Sequence, residues 1–345
     1  MLNRRWILSA RPRGRPTTEH LHLVEDRLRP LTNDELLLKN LYISLDPATR
    51  KRMDEADGYL PAIPLGGTPT TTVLAEVIES RHPDFRAGEI VTSFGGWAEY
   101  SIVSPDVMTA RVTATPDIPL TYHLSMLGIT GLTAYFGLLD CGRPRPGETV
   151  LVSAAAGAVG SLVGQIAKLH GCRTVGIAGT ETKCRRLITE FGFDDAILYR
   201  ELDTAGLAAR IHQCCPQGVD IHFENVGGTL LDAALLTINP GARIVLCGLI
   251  AGYNTQTSPG CQNLWQVIAR SASIQGFLVK DYLHRREEAL ASLRRWLSEG
   301  HLKVREHVET GIEIVPAAFA KLFDGSNDGK LMIKMASEPL DRLNT

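Results

Sequence analysis

A chain of 345 residues with a formal net charge of −2 is longer than one core usually grows, so two lobes are expected. Apolar residues make up 44% and charged residues 21%, ordinary for a globular protein, and without a long Lys/Arg block nucleic-acid binding has no support. The opening "MLNRRWILSA" falls short of a secretory apolar core and no run reaches the ~18 apolar residues of a membrane span, so a cytoplasmic protein without membrane contact is expected.

The first 125 residues read as β-rich. "ELLLKNLYISLD" is a buried strand, "TTVLAEVIES" another, and "RAGEIVTSFGGWAEYSIV" two strands around a Gly-Gly turn. Prolines such as Pro47, Pro61, Pro64, Pro69, Pro83, Pro105, Pro116 and Pro119 punctuate this part, which suits the short strands of a folded-over barrel. An arbitrary antiparallel domain fits the same pattern.

From about Leu124 the rhythm changes to strand alternating with helix. "ETVLVSAA" is a strand, "SLVGQIAKLHG" a helix, "RTVGIAG" a strand, "ETKCRRLITEFG" a helix and "DDAILY" a strand. Then follow the helix "TAGLAARIHQCC", the strand "VDIHFENVG", the helix "TLLDAALLTI" and the strand "ARIVLCGL". This spacing predicts a doubly wound parallel sheet of the Rossmann type. A helix over "ALASLRRWLSEGHL" ends at Gly300, and "VETGIEIVPAAFAKLFDG" with "GKLMIKMA" resumes strand, helix, strand, returning to the first lobe. The expected division is 1–125 with 311–345 for one lobe and 126–310 for the other. All seven cysteines lie beyond residue 140, their number is odd, and no C-x-x-C pair occurs. A secreted disulfide framework or a zinc ribbon is therefore not expected.

Within that alternation, "ETVLVSAAAGAVGSLVGQIAKLHG" has the order strand, turn, helix. Ala155, Gly157 and Gly160 occupy the three positions of G-x-G-x-x-G, the middle one admitting a pyrophosphate to the backbone and the third admitting close helix–strand packing. The helix N-terminus supplies unpaired N–H groups for the phosphates. NAD-binding chains place Asp or Glu at the tip of the second strand to hold the ribose hydroxyls. Here Gly179 and Thr180 stand there, followed by Lys183, Arg185 and Arg186. A cationic cluster suits the 2′-phosphate of NADPH; a solvated helix face, beside Glu181, is the other reading of the same residues.

Taken in order, "NRRWILSARPRG", "LYISLDPATRKRM", "LGITGLTAYFGLLD", "AAAGAVGSLVGQIAKLHGC", "FENVGG", "CGLIAGYN", "QGFLV" and "GKLMIK" resemble the medium-chain dehydrogenase/reductase superfamily. More narrowly the chain is similar to the zinc-independent, NADPH-dependent alkene reductases: the leukotriene B4 12-hydroxydehydrogenase/prostaglandin reductase and curcumin-reductase-like group. The resemblance implies a Rossmann NADPH-binding domain beside a β-rich GroES-like catalytic domain, and a homodimer. It places Gly157, Ala158, Val159 and Gly160 at the pyrophosphate, Lys183 and Tyr199 at the 2′-phosphate, and Asn327 over the cofactor. Asn225, the run Cys247, Gly248, Leu249, Ile250, Ala251, Gly252 and Tyr253, and Phe277, Leu278 and Val279 would line the nicotinamide side.

The same resemblance makes Tyr253 the catalytic residue. Hydride delivered to the β-carbon of an enone or enal leaves negative charge on the carbonyl oxygen, and a hydrogen-bond donor in a dry pocket stabilises it. A cofactor-ribose contact or loop packing is the plainer role for the same side chain. No metal is expected: the first lobe has no cysteine, His82 and His123 lie far apart in sequence, and "IPLGGTPTTTVLAEV" lacks the histidine–glutamate pair of zinc-dependent relatives.

Departures cluster where pocket walls are expected. Thr130 in "GITG" replaces a proline, "DPATR" departs from D-P-x-M-R, "GGTPTTTV" replaces a glycine- and methionine-rich run, and "TQTSPGCQN" is a shortened loop. Thr130 and Tyr59 are the candidate substrate-pocket residues. The acceptor expected is an activated C=C bond. A quinone, or a conjugated imine or thioester in a specialised biosynthetic step, is the alternative; a non-catalytic NADPH-binding protein belongs to a different class.

Overall fold

The computed structural model describes residues 1–55, 58–255 and 260–338 and divides into two compact units. The first holds Met1–Leu124 together with the segment beginning at Glu306; the second is Ser125–Arg305. In chain order the first unit runs β1 (Leu2–Leu8), β2 (Leu21–Arg27), β3 (Leu36–Ser44), α1 (Ala48–Lys51), β4 (Thr70–Ser80), β5 (Ile90–Gly96), β6 (Tyr100–Val103) and β7 (Ala110–Arg111). The second runs α2 (Ile129–Phe136), β8 (Thr149–Val152), α3 (Ala158–Leu169), β9 (Arg173–Ala178), α4 (Glu181–Thr189) and β10 (Asp195–Leu198). It continues with α5 (Thr204–Cys214), β11 (Val219–Glu224), α6 (Thr229–Leu235), β12 (Ile238–Leu246), α7 (Trp265–Ala269), β13 (Ser273–Gly276) and α8 (Arg286–Ser298). The chain then adds β14 (Glu306–Thr310), α9 (Val315–Asp324) and β15 (Lys330–Lys334) to the first unit.

The first unit is a largely antiparallel sheet in the order β14-β15-β3-β4-β5-β7, with β6 also on β3 and β1–β2 forming a separate hairpin. β14 pairs parallel with β15, so the chain has rejoined this unit by Glu306, ahead of residue 311. Strand β3 is buried along nearly its whole length because it feeds two cores. A register irregularity between Asn40 and Tyr42 shifts the alternation, so Leu36, Leu38, Ile43 and Leu45 all reach one core, while Leu41 and Tyr42 reach the other. Buried Asn40 fills the break by donating from Nδ2 to the carbonyls of Gly96 and Ala98. In the larger core Trp97 packs edge-on against Phe319, ring centroids 5.0 Å apart.

The "DPATR" stretch is a brace. Arg50 is buried, donates to the carbonyls of Pro12 and Gly14, and pairs with Asp54. Asp46 accepts from buried Lys330; burial alone would raise its carboxyl, yet the ammonium and the hydroxyls of Ser44 and Thr71 hold it below its ordinary value.

The second unit is a six-stranded, wholly parallel sheet in the order β10-β9-β8-β11-β12-β13. This is the doubly wound Rossmann order, in which the order of adding strands reverses between β8 and β11. β8 reads Thr-Val-Leu-Val and is buried at every position, as a strand covered on both faces must be. The sequence places α6 as far as Ile238, but the helix ends at Leu235 and Ile238 already belongs to β12. The Pro-Gly turn of "INPGAR", with Gly241 at φ 74°, interrupts the strand and explains the misplaced boundary. The hairpin β1–β2, helix α7 and edge strand β13 have no counterpart among the sequence expectations. Among the described residues no helix is long and apolar enough to cross a membrane.

Candidate functional site

The site grows from the turn after β8. Ala154 takes a left-handed conformation, φ 47°, which turns the chain sharply enough for Gly157 to cap α3. Gly157 N–H donates to Ala154 O at 2.9 Å and Ala155 N–H to Ile177 O at 3.0 Å, fixing the turn to its own helix and to β9. A Cβ on Gly160 would meet Ala154 O at 2.6 Å and Ala155 Cα at 2.8 Å, so only glycine lets α3 approach this closely. Ala158, Val159 and Gly160 form the first turn of α3, whose N–H groups have no carbonyl partner within the helix. This is a cradle for a pyrophosphate.

At the tip of β9, Thr180 caps α4, its Oγ1 accepting from Lys183 N–H at 3.2 Å. Tyr199 and Arg200 fold over the same tip: from the Cβ position of Gly179, Tyr199 Cε1 is 3.4 Å and Arg200 Nε 3.2 Å away. Tyr199 and Arg200 thus stand beside the turn from which α4 and its Lys183 start, and Arg200 is a residue that the sequence reading missed. Arg186 instead pairs with Glu190 along its own helix at 3.5 Å.

At the carboxyl ends of β8 and β11 a fully buried carboxylate organises the loops. Glu224 Oε1 accepts from Ser153 Oγ at 2.5 Å and Gly227 N–H at 3.0 Å, as well as from Val226 N–H; Oε2 meets His222 Nε2 at 2.7 Å. His222 Nδ1 lies 3.2 Å from Leu151 O, which can only accept, so Nδ1 carries a proton. Burial would push Glu224 up, but His222 and these donors hold it below its ordinary value. Asn225 is clamped to Ser153 twice, by N–H to Oγ and by Nδ2 to the carbonyl, each at 2.7 Å. Glu224 O accepts from the N–H groups of Cys247 and Gly248, and Asn225 O from Ile250 N–H, so the segment after β12 hangs on the same loop.

That segment turns at Ile250–Gly252 and brings Tyr253 back over it. A cavity of about 450 Å³ opens there, lined by Leu246, Cys247, Gly248, Leu249, Tyr253, Gly276, Phe277, Leu278 and Asp281. Ile250, Ala251, Gly252 and Val279 do not line it, and neither does Thr130, which is buried in the first turn of α2. Leu249 N–H donates to Tyr253 Oη at 3.4 Å, leaving the phenol's own proton for another acceptor. Burial raises the Tyr253 phenol above its ordinary value and pushes the Cys247 thiol up to about 12, so both are neutral at pH 7. Asp281, Leu246 and Gly276 are lining residues that sequence reasoning missed.

In the first unit Tyr59 is 50% exposed, and Asn327 Nδ2 donates to Gly329 O at 3.0 Å in the turn before β15. Residues 256–259 of the shortened loop "TQTSPGCQN", and Asp57 at the start of "DGYLPAIP", lie outside the described residues. Among the described residues no three His, Cys, Asp or Glu side chains are grouped to hold a metal ion.

A six-stranded dinucleotide-type sheet, a glycine cradle at its switch point and a β-rich companion unit define an oxidoreductase of the medium-chain type. Two family models match, "N-terminal domain of oxidoreductase" over residues 4–110 and "Zinc-binding dehydrogenase" over residues 158–295. The chain is 40% identical over 342 residues to the NADPH-dependent curcumin reductase of Escherichia coli (strain K12), covering 97% of this chain and 98% of that protein. It is 40% identical to the 2-alkenal reductase (NADP(+)-dependent) of Nicotiana tabacum, over 90% of each chain. Among solved structures, CurA from Vibrio vulnificus in complex with NADPH superimposes with a TM-score of 0.90 at 38% identity, covering 97% of this chain and 100% of that one. The chain belongs to the zinc-independent medium-chain dehydrogenase/reductase family of which these proteins are members.

Proposed function

We propose that this chain is an NADPH-dependent reductase of activated carbon–carbon double bonds in enals and enones. The observation that carries the reading is the cavity at the carboxyl end of the parallel sheet, where a neutral, half-buried phenol stands over an otherwise largely apolar wall. NADPH fits the residues present: the Gly157–Gly160 turn would hold the pyrophosphate and Lys183, Tyr199 and Arg200 the 2′-phosphate. Asn225, Cys247, Gly248, Leu249, Phe277 and Leu278 would flank the nicotinamide. Asn327 is a cofactor contact by the resemblance alone. Bound there, NADPH supplies the hydride that reaches the β-carbon of the acceptor.

The chain's own residues bind the acceptor and polarise its carbonyl, and the α-carbon of the resulting enolate takes its proton from water. Tyr253 donates a hydrogen bond to the carbonyl oxygen as negative charge grows on it, and burial strengthens that bond by excluding water. Because its pKa is raised, the phenol keeps its proton and acts as donor rather than as base. Leu249 N–H, accepted by the same oxygen, helps hold the phenol in place. The unit of Met1–Leu124 with the segment from Glu306 is proposed as the substrate-side GroES-like domain and Ser125–Arg305 as the cofactor domain. A cytoplasmic homodimer acting on small molecules, with no nucleic-acid or membrane partner, completes the reading; sedimentation equilibrium measures the oligomeric part.

The test is NADPH consumption against enals, enones, quinones and imines. Enals and enones are expected to be the better acceptors. Tyr253→Phe is expected to lose about 10²-fold in kcat, the usual worth of one oxyanion donor, with NADPH affinity unchanged. Equal kcat in that variant, or turnover confined to quinones, overturns the proposal.

A further inference from the structure

The cavity beside Tyr253 carries one formal charge. Of its nine lining residues only Asp281 brings a carboxylate; the phenol and thiol are held neutral. Asp281 sits in the short turn after β13, three residues past Leu278, whose carbonyl accepts the Asp281 N–H at 3.0 Å. That backbone bond fixes where the side chain leaves the turn. The carboxylate itself is exposed and makes no ion pair or side-chain hydrogen bond among the described residues. The nearest cations in sequence do not neutralise it: Arg285 is engaged by Asp140 and Glu288, and neither Arg285 nor Lys280 lines the cavity.

An unpaired carboxylate has no structural task in such a position. Nothing in the fold is held by it, and replacing it would leave the turn's backbone bond intact. What it does create is a negative potential at a cavity whose larger apolar side chains are Leu246, Leu249, Phe277 and Leu278. A group of like charge entering it is repelled, and a cation or hydrogen-bond donor is drawn in.

We infer that Asp281 is a specificity-determining residue that selects acceptors by the charge of the end remote from the reacting double bond. Conjugated carbonyl compounds with a cationic or hydroxyl-bearing far end are favoured, uncharged ones are accepted, and those ending in a carboxylate or phosphate are disfavoured. The inference rests on the cavity being the acceptor site of the proposed reaction. A unit charge several ångströms from the carboxylate, at the intermediate dielectric of a pocket mouth, changes affinity by about fivefold to tenfold. The effect falls as salt is raised, because the mouth is open to solvent.

Three enones of matched length, ending in a methyl, an ammonium or a carboxylate group, test it against wild type, Asp281→Asn and Asp281→Lys. Wild type is expected to show a kcat/KM for the ammonium compound at least tenfold above that for the carboxylate. Asp281→Asn flattens the order and Asp281→Lys reverses it, through KM. Calorimetric binding of the three saturated ketones to the NADP-loaded protein gives the same order without turnover. An unchanged order in Asp281→Lys, with the methyl compound still reduced, overturns the role of Asp281. If the methyl compound is not reduced at all the functional reading falls instead, and the calorimetric order of the three ketones still decides the inference.

Discussion

Replacing Gly160 by alanine tests the cradle most directly, because two effects of known sign oppose each other. Gly160 lies in the first turn of α3, where alanine improves helix propensity by about 1 kcal/mol. Against that, the new Cβ would stand 2.6 Å from Ala154 O and 2.8 Å from Ala155 Cα, where ordinary contacts begin near 3.4 Å. The backbone atoms in the way cannot turn aside: Ala154 is already at φ 47°, its carbonyl holds Gly157 N–H, and Ala155 N–H is tied to β9. Relief therefore requires α3 to move off the turn by several tenths of an ångström. Overpacking of this kind costs about 1–3 kcal/mol, so the net change is a destabilisation of up to roughly 2 kcal/mol. The same displacement draws the N–H groups of Ala158, Val159 and Gly160 out of line with a pyrophosphate, and NADPH affinity is expected to fall by about tenfold or more. Urea unfolding of the protein without cofactor and fluorescence titration with NADPH read the two effects separately. Gly14→Ala is the control, since its Cβ would meet nothing within 4 Å. A Gly160→Ala protein as stable as wild type and equally tight for NADPH would refute the account of why a glycine stands there.

Lys183→Ala and Arg200→Ala are each expected to raise the Kd for NADPH about tenfold while leaving NADH binding within twofold, since only NADPH carries the extra phosphate; parallel titrations with both cofactors decide. Glu224→Gln is expected to cost no more than about 1 kcal/mol, because its amide can donate to His222 Nε2 while its carbonyl accepts from Ser153, Val226 and Gly227. Glu224→Ala, which strands all four donors, is expected to lose about 3–5 kcal/mol in denaturant unfolding. The carboxyl of Glu224 is depressed in the folded protein, so its contribution is complete above the ordinary unfolded value of about 4.3 and is lost as pH falls through the folded value. The stability of wild type relative to Glu224→Gln should therefore shrink below about pH 4; a constant gap down to pH 3 contradicts the assignment.

The order of the second unit's elements was legible in the chain because its signals are local. A run such as Thr149–Val152 is apolar at both faces, Ala155, Gly157 and Gly160 sit at fixed offsets from it, and α4 opens on a capping Thr180. Each is a property of a few neighbouring residues, and the alternation of strand and helix then leaves the doubly wound sheet as the solution that buries them. The edge strand β13 gave no such signal, since Ser273–Gly276 is short, partly exposed and pairs along only one side. Nor did "VDIHFENVG" disclose why a histidine and a glutamate stand inside a buried strand: the answer is Ser153, 71 residues away, delivered by the neighbouring strand. Arg200 and Asp281 escaped notice for the same reason. Local sequence decides which segments can be strands, helices and phosphate turns, because backbone torsion and hydrophobic period act over a few residues. Which side chains meet at the carboxyl ends of those strands depends on the lateral order of a parallel sheet, where every neighbour is remote in sequence, and that only the tertiary structure decided.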